Sequence, residues 1–403
     1  RERVEGVLVK LVALTSDEGR AAELKLELAA LYEDAQQYDA ARAPLESLRR
    51  AGASAPGYAQ ALAALERIAT ATGDKAELAS VQHDSAALLG AGVRAKRLLE
   101  AARSFREAGQ LDQALALTRE SLAARSSRDG FSLLVELARE GGRHDDLARA
   151  LTQLAEQNEG AGRAAILLQA LEAWREAGDV ASAREVLERV LREAPGVLAP
   201  ADAGRRFVQL DAPKRALEIA FAPALREGRF DEAVMFAEAA SDAVKVREAL
   251  RAHAESAPDA PPADRYLELL RAEGDVAALR DFAGKAPSRA TALRIELAVD
   301  FDQLDEVERV ADAGAALPLL ERALEANAAG VLEALLAWAP GFPIAQREAL
   351  FRAVAQQVSS RKAPMLRALA SLYRDEHRFQ EAHDALLALC QLEEEPRARA
   401  ALH

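Results

Sequence analysis

Few side chains in this chain could carry chemistry, and arginine is the most prominent of them. The histidines are His83, His144, His253, His377, His383 and His403. His377 and His383 are the closest pair, but their separation of six does not place both on one helix face as a metal-binding i, i+4 pair would. The single cysteine, Cys390, excludes an internal disulfide and a cysteine-based zinc site. Its neighbours Leu386, Leu387 and Leu389 predict a buried thiol that packs as a small apolar group. Gly90-Ala91-Gly92 and Gly160-Ala161-Gly162 follow no strand and lack the further glycine of a dinucleotide loop, so they read as connections between helices. No Walker loop, HExxH helix or Ser/His/Asp set is legible. The reading assigns no catalytic, cofactor-binding or metal residue and takes the chain as non-enzymatic.

Arginine recurs with a register. Arg106, Arg139, Arg175, Arg271 and Arg374 each stand eight residues before a small or aliphatic residue that opens a helix. A guanidinium fork suits carboxylates and phosphates, so an acidic peptide is the expected ligand. Arg67, Lys96, Arg103, Arg106, Arg139 and Arg175 are the candidate binding residues. A competing reading is structural: Glu136/Arg139, Glu172/Arg175 and Glu268/Arg271 have the spacing of helical ion pairs, each worth roughly 0.2–0.5 kcal/mol without any ligand. Lys96, Arg103 and Arg106 are read as free of such pairing, which makes the stretch from Arg67 to Arg139 the preferred location for a ligand.

The elements that must carry these residues follow from composition. Of 403 residues 50% are apolar and 29% charged, but only 4% are aromatic, and alanine, leucine, arginine and glutamate replace the residues that build sheets. A sandwich or barrel is disfavoured. The formal net charge of -13 argues against broad binding to a nucleic-acid backbone. Residues 151–350 hold most of the excess, with 23 basic against 35 acidic side chains, and the densest part, 301–350, has 3 against 9. A charge-selected partner there would be basic; a solvated face is the simpler expectation. Only eight of the 52 basic residues are lysine, a bias that suggests a GC-rich, bacterial genome.

One pattern repeats along the chain: an amphipathic helix, a Gly- or Asp-bearing turn, then a small residue near the start of a second amphipathic helix. The clearest copies run from Ala102 through Gly109 to Ala114, from Trp174 through Gly178-Asp179 to Ala183, from Gly228 through Asp231 to Ala233, and from Tyr373 through Phe379 to Ala382. An earlier copy is Ala29 and Tyr32 followed by Asp39 and Ala41. With the small-residue/aromatic pairs Ala29/Tyr32, Ala102/Phe105 and Ala370/Tyr373, these segments resemble the tetratricopeptide repeat. The resemblance implies an all-α, right-handed superhelical solenoid of stacked antiparallel helix hairpins whose first helices line a concave groove. It also implies a role in holding protein or peptide partners.

Aligned on the helix-opening residue, nine copies fall at Ala41, Leu78, Ala114, Leu147, Ala183, Ala233, Leu279, Val307 and Ala382. The spacing is regular to Ala183 and then widens to 50 and 46 before falling to 28 and rising to 75. This divides the chain into a regular array at 1–195, an irregular helical segment at 196–264 and degenerate repeats at 265–403. Ala254–Asp264, with Pro258, Pro261 and Pro262, is the best linker candidate. Leu317–Asn327 and Val331–Trp338 read as one degenerate hairpin, and Trp174 and Trp338 as core. The acids at the turns (Asp74, Asp179 and Asp275 after a glycine; Asp39, Asp112, Asp145, Asp231 and Asp305 one turn further) should cap or charge-stabilise the second helices.

Val4, Val7, Leu8, Leu11 and Val12 put the chain in an amphipathic helix from its first residues, and Glu393–His403 reads as a charged, proline-broken tail. Neither end carries a polar cap, so the expectation is a longer array or a packed partner. No apolar run approaches the roughly 18 residues of a membrane span. The missing initiator methionine leaves the compartment open, cytoplasmic by preference but with export possible. The leading expectation is a non-catalytic scaffold for protein segments. Its alternatives are a structural subunit of a large assembly and the repeat portion of a larger regulator or enzyme.

Overall fold

The computed structural model describes residues 2–401, and the side chains of residues 3–392. It consists of helices and contains no strand among the described residues. Two compact units divide the chain, Arg1–Ala212 and Pro213–His403. The first holds α1 (Glu2–Leu14), α2 (Glu18–Asp34), α3 (Tyr38–Arg50), α4 (Tyr58–Thr72), α5 (Lys75–Ala86), α6 (Ala91–Glu107), α7 (Leu111–Ala124), α8 (Arg128–Glu140), α9 (His144–Glu156), α10 (Gly160–Glu176), α11 (Val180–Glu193) and α12 (Pro200–Gln209). The second begins with α13 (Pro213–Arg226), α14 (Phe230–Ala239), α15 (Ala243–Ser256), α16 (Pro261–Glu273), α17 (Val276–Lys285) and α18 (Pro287–Asp300). It ends with α19 (Asp305–Val310), α20 (Ala316–Ala326), α21 (Ala329–Ala334), α22 (Ile344–Gln357), α23 (Lys362–Asp375) and α24 (Phe379–Ala401).

The hairpins share one backbone device. The residue five before each opening position has a left-handed backbone: φ is 75° at Gly109, 63° at Gly142, 79° at Gly178 and 65° at Gly274. Its N–H and the next one close back onto the helix just ended. Gly109 donates to the Arg106 carbonyl and Gln110 to that of Phe105, both at 2.9 Å. This is the paired C-terminal motif that satisfies a helix's last carbonyls and turns the chain. Glycine suits it because a Cβ in that conformation costs about 1–2 kcal/mol.

That device corrects the spacing beyond Ala183. Asp211 (φ 54°) and Ser241 (φ 56°) adopt the same conformation without being glycine. They close the same bonds, Asp211 to Val208 and Ala212 to Phe207, then Ser241 to Glu238 and Asp242 to Ala237. Their opening residues are Ala216 and Val246, so the series runs Ala183, Ala216, Val246, Leu279 at intervals of 33, 30 and 33. The gaps of 50 and 46 came from taking Gly228 as a hairpin turn. Gly228 lies between α13 and α14, the return from one hairpin to the next, and Ala233 therefore opens a first helix. Asn327 (φ 53°) joins α20 to α21 as the expected degenerate hairpin. A wide interval remains from Leu332 to Ala382, and α22 fills it.

Other sequence expectations change as well. Only 257–260 lie between α15 and α16, and Ala254 and Ala263 are fully buried, so 254–264 is not a linker. α24 continues past Pro396 to Ala401 in place of a proline-broken tail. Gly92 and Gly162 sit in the first turns of α6 and α10 and not in connections.

Packing follows from the small opening residues. Ala41, Ala114 and Ala183 are fully buried, their methyls letting paired backbones approach. Leu45, Leu62, Leu65 and Ile68 form one core around Ala41 in the first unit. In the second, Tyr266 meets Phe282 edge-on at 5.8 Å. Trp174 is buried and donates Nε1–H to Thr152 Oγ1 at 3.3 Å, while Trp338 is half-buried against the core of α18–α22. α1 turns Leu8 and Val12 partly inward, whereas Val4, Val7, Leu11 and Leu14 stay exposed along its other side.

The caps form as expected. Asp74, Asp179 and Asp275 accept from the N–H groups of Glu77, Ser182 and Ala278 at 3.0 Å, and Asp242 does the same for Lys245 at 3.1 Å.

Gly109 has open space around an added Cβ, so Gly109→Ala isolates the backbone strain and should destabilise by about 1–2 kcal/mol in urea unfolding, while Ser241→Gly should gain about 0.5–1 kcal/mol. The Ala278 N–H, and after it Arg247, hold the Asp275 carboxyl below its usual range. A depressed carboxylate stabilises above its unfolded pKa of about 4, and the contribution is lost as pH falls through the lower folded value. Asp275→Ala should cost about 1 kcal/mol at pH 7. Asp275→Asn should retain the cap but lose this acid-dependent part, measured as melting temperature between pH 2 and 7.

Candidate basic interface

The candidate residues lie on first helices, and the turns fix their register. Arg67 on α4 grips Glu33 on α2 with both ends of its fork, Nε–Oε1 2.8 Å and Nη2–Oε2 2.9 Å. Arg106 on α6 does the same to Glu140 on α8 and also reaches Glu136 Oε2 at 2.5 Å. Arg206 on α12 pairs with Glu172 on α10, whose other oxygen lies 3.0 Å from Arg175. The same arrangement appears in the second unit, where Arg271 on α16 holds Glu296 on α18 at 2.5 and 2.8 Å. The ladder therefore joins the first helix of one hairpin to the first helix of the next.

Of the three i, i+3 pairs suggested by spacing, Glu172–Arg175 forms. Glu136 turns to Arg106 and Arg271 to Glu296, because the neighbouring hairpin presents a partner in better fork geometry. Glu100 does stand three residues before Arg103, but its carboxylate is held by Arg97 at 2.8 Å. The hydrogen bonds that Arg106 donates to Glu140 and Glu136 push its guanidinium further above its ordinary value, and those that Arg67 donates to Glu33 do the same for it. Such exposed pairs are each worth about 0–1 kcal/mol, enough to set register but not to hold the stack.

Three of the six candidates are thus engaged: Arg67, Arg106 and Arg175. Lys96, Arg103 and Arg139 are exposed and make no ion pair among the described residues. Lys96 and Arg103 are seven apart, two turns along one side of α6, and Arg139 lies on α8, the first helix of the following hairpin. Two further cations escaped the sequence reading, Arg125 and Arg128 in and beside the α7–α8 connection, both exposed and without an ion pair among the described residues. The signal for them was the acid-free stretch from Ser121 to Arg128.

Cys390 is exposed, contrary to expectation. The Leu386, Leu387, Leu389 run encircles α24; Leu389 is buried and the other two are half-exposed, so sequence neighbours did not identify the covered face. No cluster of three or more His, Cys, Asp or Glu that could hold a metal occurs among the described residues. No described helix is long and apolar enough to cross a membrane.

No family model and no curated protein matches this sequence. Among solved structures, one of Naa15/Naa10 bound to HypK-THB is similar at 11% identity and a TM-score of 0.33, over 94% of this chain and 64% of that one. This chain therefore spans less than two thirds of it. The C-terminal part of a TPR repeat-containing protein from Cytophaga hutchinsonii is similar at 12% identity and a TM-score of 0.26, over 60% of this chain and 99% of that one. The recurring turn, its register and the buried alanine beside it give each unit an all-α fold of tetratricopeptide-like helix hairpins.

Proposed function

We propose that the chain is a non-catalytic protein-interaction scaffold that holds an acidic segment of a partner protein across α6 and α8. One observation carries the reading: Lys96, Arg103 and Arg139 remain without ion pairs on a surface where Arg67, Arg106 and Arg175 are neutralised. On a chain of net charge -13, such a local basic patch selects acidic groups and speeds their encounter. The stacked helices are ordered beforehand, so the bound segment alone pays most of the ordering entropy. Exposed, unpaired cations also need no existing bond to break before they engage a ligand.

Fluorescence anisotropy with a labelled oligoglutamate peptide tests this. Wild-type protein should bind it with an affinity that falls as salt rises, and Arg103→Glu with Arg139→Glu should weaken binding at least tenfold. Arg106→Gln is the control, expected to change stability by less than about 1 kcal/mol and binding by less than threefold. Equal affinity in wild type and the double variant would remove the segment from this face. A chain that binds no acidic peptide but grows in mass with concentration by light scattering would instead favour an assembly subunit.

A further inference from the structure

At the start of α8 a cleft of about 450 Å³ opens beside α6. Lys96, Arg125, Ser126, Ser127, Arg128 and Asp129 contribute to its wall. Arg125 Nη1 lies close to α6 at Gly92, 3.5 Å from where a Cβ there would stand. Ser127 Oγ accepts from the Gly130 N–H at 3.1 Å, and Ser126 Oγ accepts from Gln157 Nε2 at 3.3 Å. Each hydroxyl keeps its own proton to donate.

A second cleft two hairpins later shows what is unusual about the first. That cleft is lined by Gly160, Arg163, Leu167 and Glu193 among others. Arg163 fills that cleft's charge requirement internally, bonding Glu193 at 2.9 Å and Glu156 at 3.2 Å. In the earlier cleft Lys96, Arg125 and Arg128 make no ion pair among the described residues. With Asp129 on the wall, three positive charges and one negative leave an excess of two. A carboxylate would neutralise half of it. A phosphoryl group carries about -1.5 to -2 and three acceptor oxygens, which suits three cations and two hydroxyl donors.

We propose that this cleft binds a phosphoryl group on a serine or threonine of the segment that crosses α6 and α8. The inference rests on the scaffold reading above, because Lys96 belongs to both the face and the cleft. It adds a position within the segment at which phosphorylation strengthens binding.

The test uses the full chain and two labelled peptides, oligoglutamate and the same peptide with one phosphoserine in place of a glutamate. Wild-type protein should bind the phosphorylated peptide at least tenfold more tightly. Arg125→Gln with Arg128→Gln should reduce that advantage below threefold while leaving oligoglutamate affinity within threefold of wild type; Ser126→Ala should reduce it in part. An unchanged melting temperature confirms that these variants fold. Arg103→Glu with Arg139→Glu should weaken both peptides by one common factor. Equal affinity for the two peptides, or an advantage that survives Arg125→Gln with Arg128→Gln, overturns the cleft while leaving the scaffold intact. Binding of neither peptide overturns the scaffold. Should inorganic phosphate alone shift the Ser126 and Ser127 amide resonances while the phosphopeptide does not bind, the site takes a free anion and the segment-borne source is wrong.

Discussion

The first helix of each hairpin ends on a residue forced into the left-handed region, and the rest of the structure is measured from that residue. The geometry leaves the chain little choice. Two N–H groups must return to the carbonyls of the helix just ended, as at Gly109 and Gln110, and a second helix then starts antiparallel to the first. Five residues on, a small or aliphatic side chain such as Ala114 meets the first helix at close range. Because this offset is constant, one position on each first helix always faces the next hairpin. That is why Arg67 and Glu33, or Arg106 and Glu140, meet at a separation of one repeat.

Where glycine supplies the left-handed residue, the turn was legible in the sequence; at Asp211 and Ser241 it was hidden, whereas Gln36, Asp302 and His377 hold turns that the flanking helices still revealed. Gly73, Gly109, Gly142, Gly178 and Gly274 all marked hairpins correctly. Asp211 and Ser241 did not, since neither residue type is diagnostic of positive φ, and two hairpins were merged into wide gaps. Gly228 misled for the converse reason. It makes the same backbone turn, but between hairpins, and a local pattern cannot say which of two successive turns it is reading. The opening alanines and the aspartate caps were legible because both depend on bonds within a few residues.

Side-chain fate was less legible, and the reason is distance along the chain. Arg97 and Arg103 both lie within one turn of Glu100, and spacing cannot decide which of them takes its carboxylate. Glu136 and Arg139 have the spacing of a pair, but Arg106 reaches Glu136 from a helix 30 residues away. A cross-repeat partner can offer both oxygens to a fork, as Glu140 does to Arg106, whereas an i, i+3 partner is constrained by the helix it shares. Cys390 failed by the same logic: the covered face of α24 is chosen by α23, which lies outside any local window.

Charge then acquires two separate roles in one molecule. Where opposite charges alternate between successive first helices, they cancel and hold register, and such a surface offers little to a ligand without breaking bonds it already has. Between Lys96 and Arg139 the alternation lapses: Glu100 is committed to Arg97, Glu120 to Arg94, and Glu136 and Glu140 to Arg106. Each of those acids is spent on one cation, so Lys96, Arg103, Arg125, Arg128 and Arg139 are left without a counter-ion in a chain that carries an excess of acid overall. Unneutralised like charges on neighbouring helices repel, a small but continuous cost to the folded state. In the function proposed above, an anionic segment removes that cost on binding, so the same imbalance that slightly weakens the free protein increases the free energy gained by the complex.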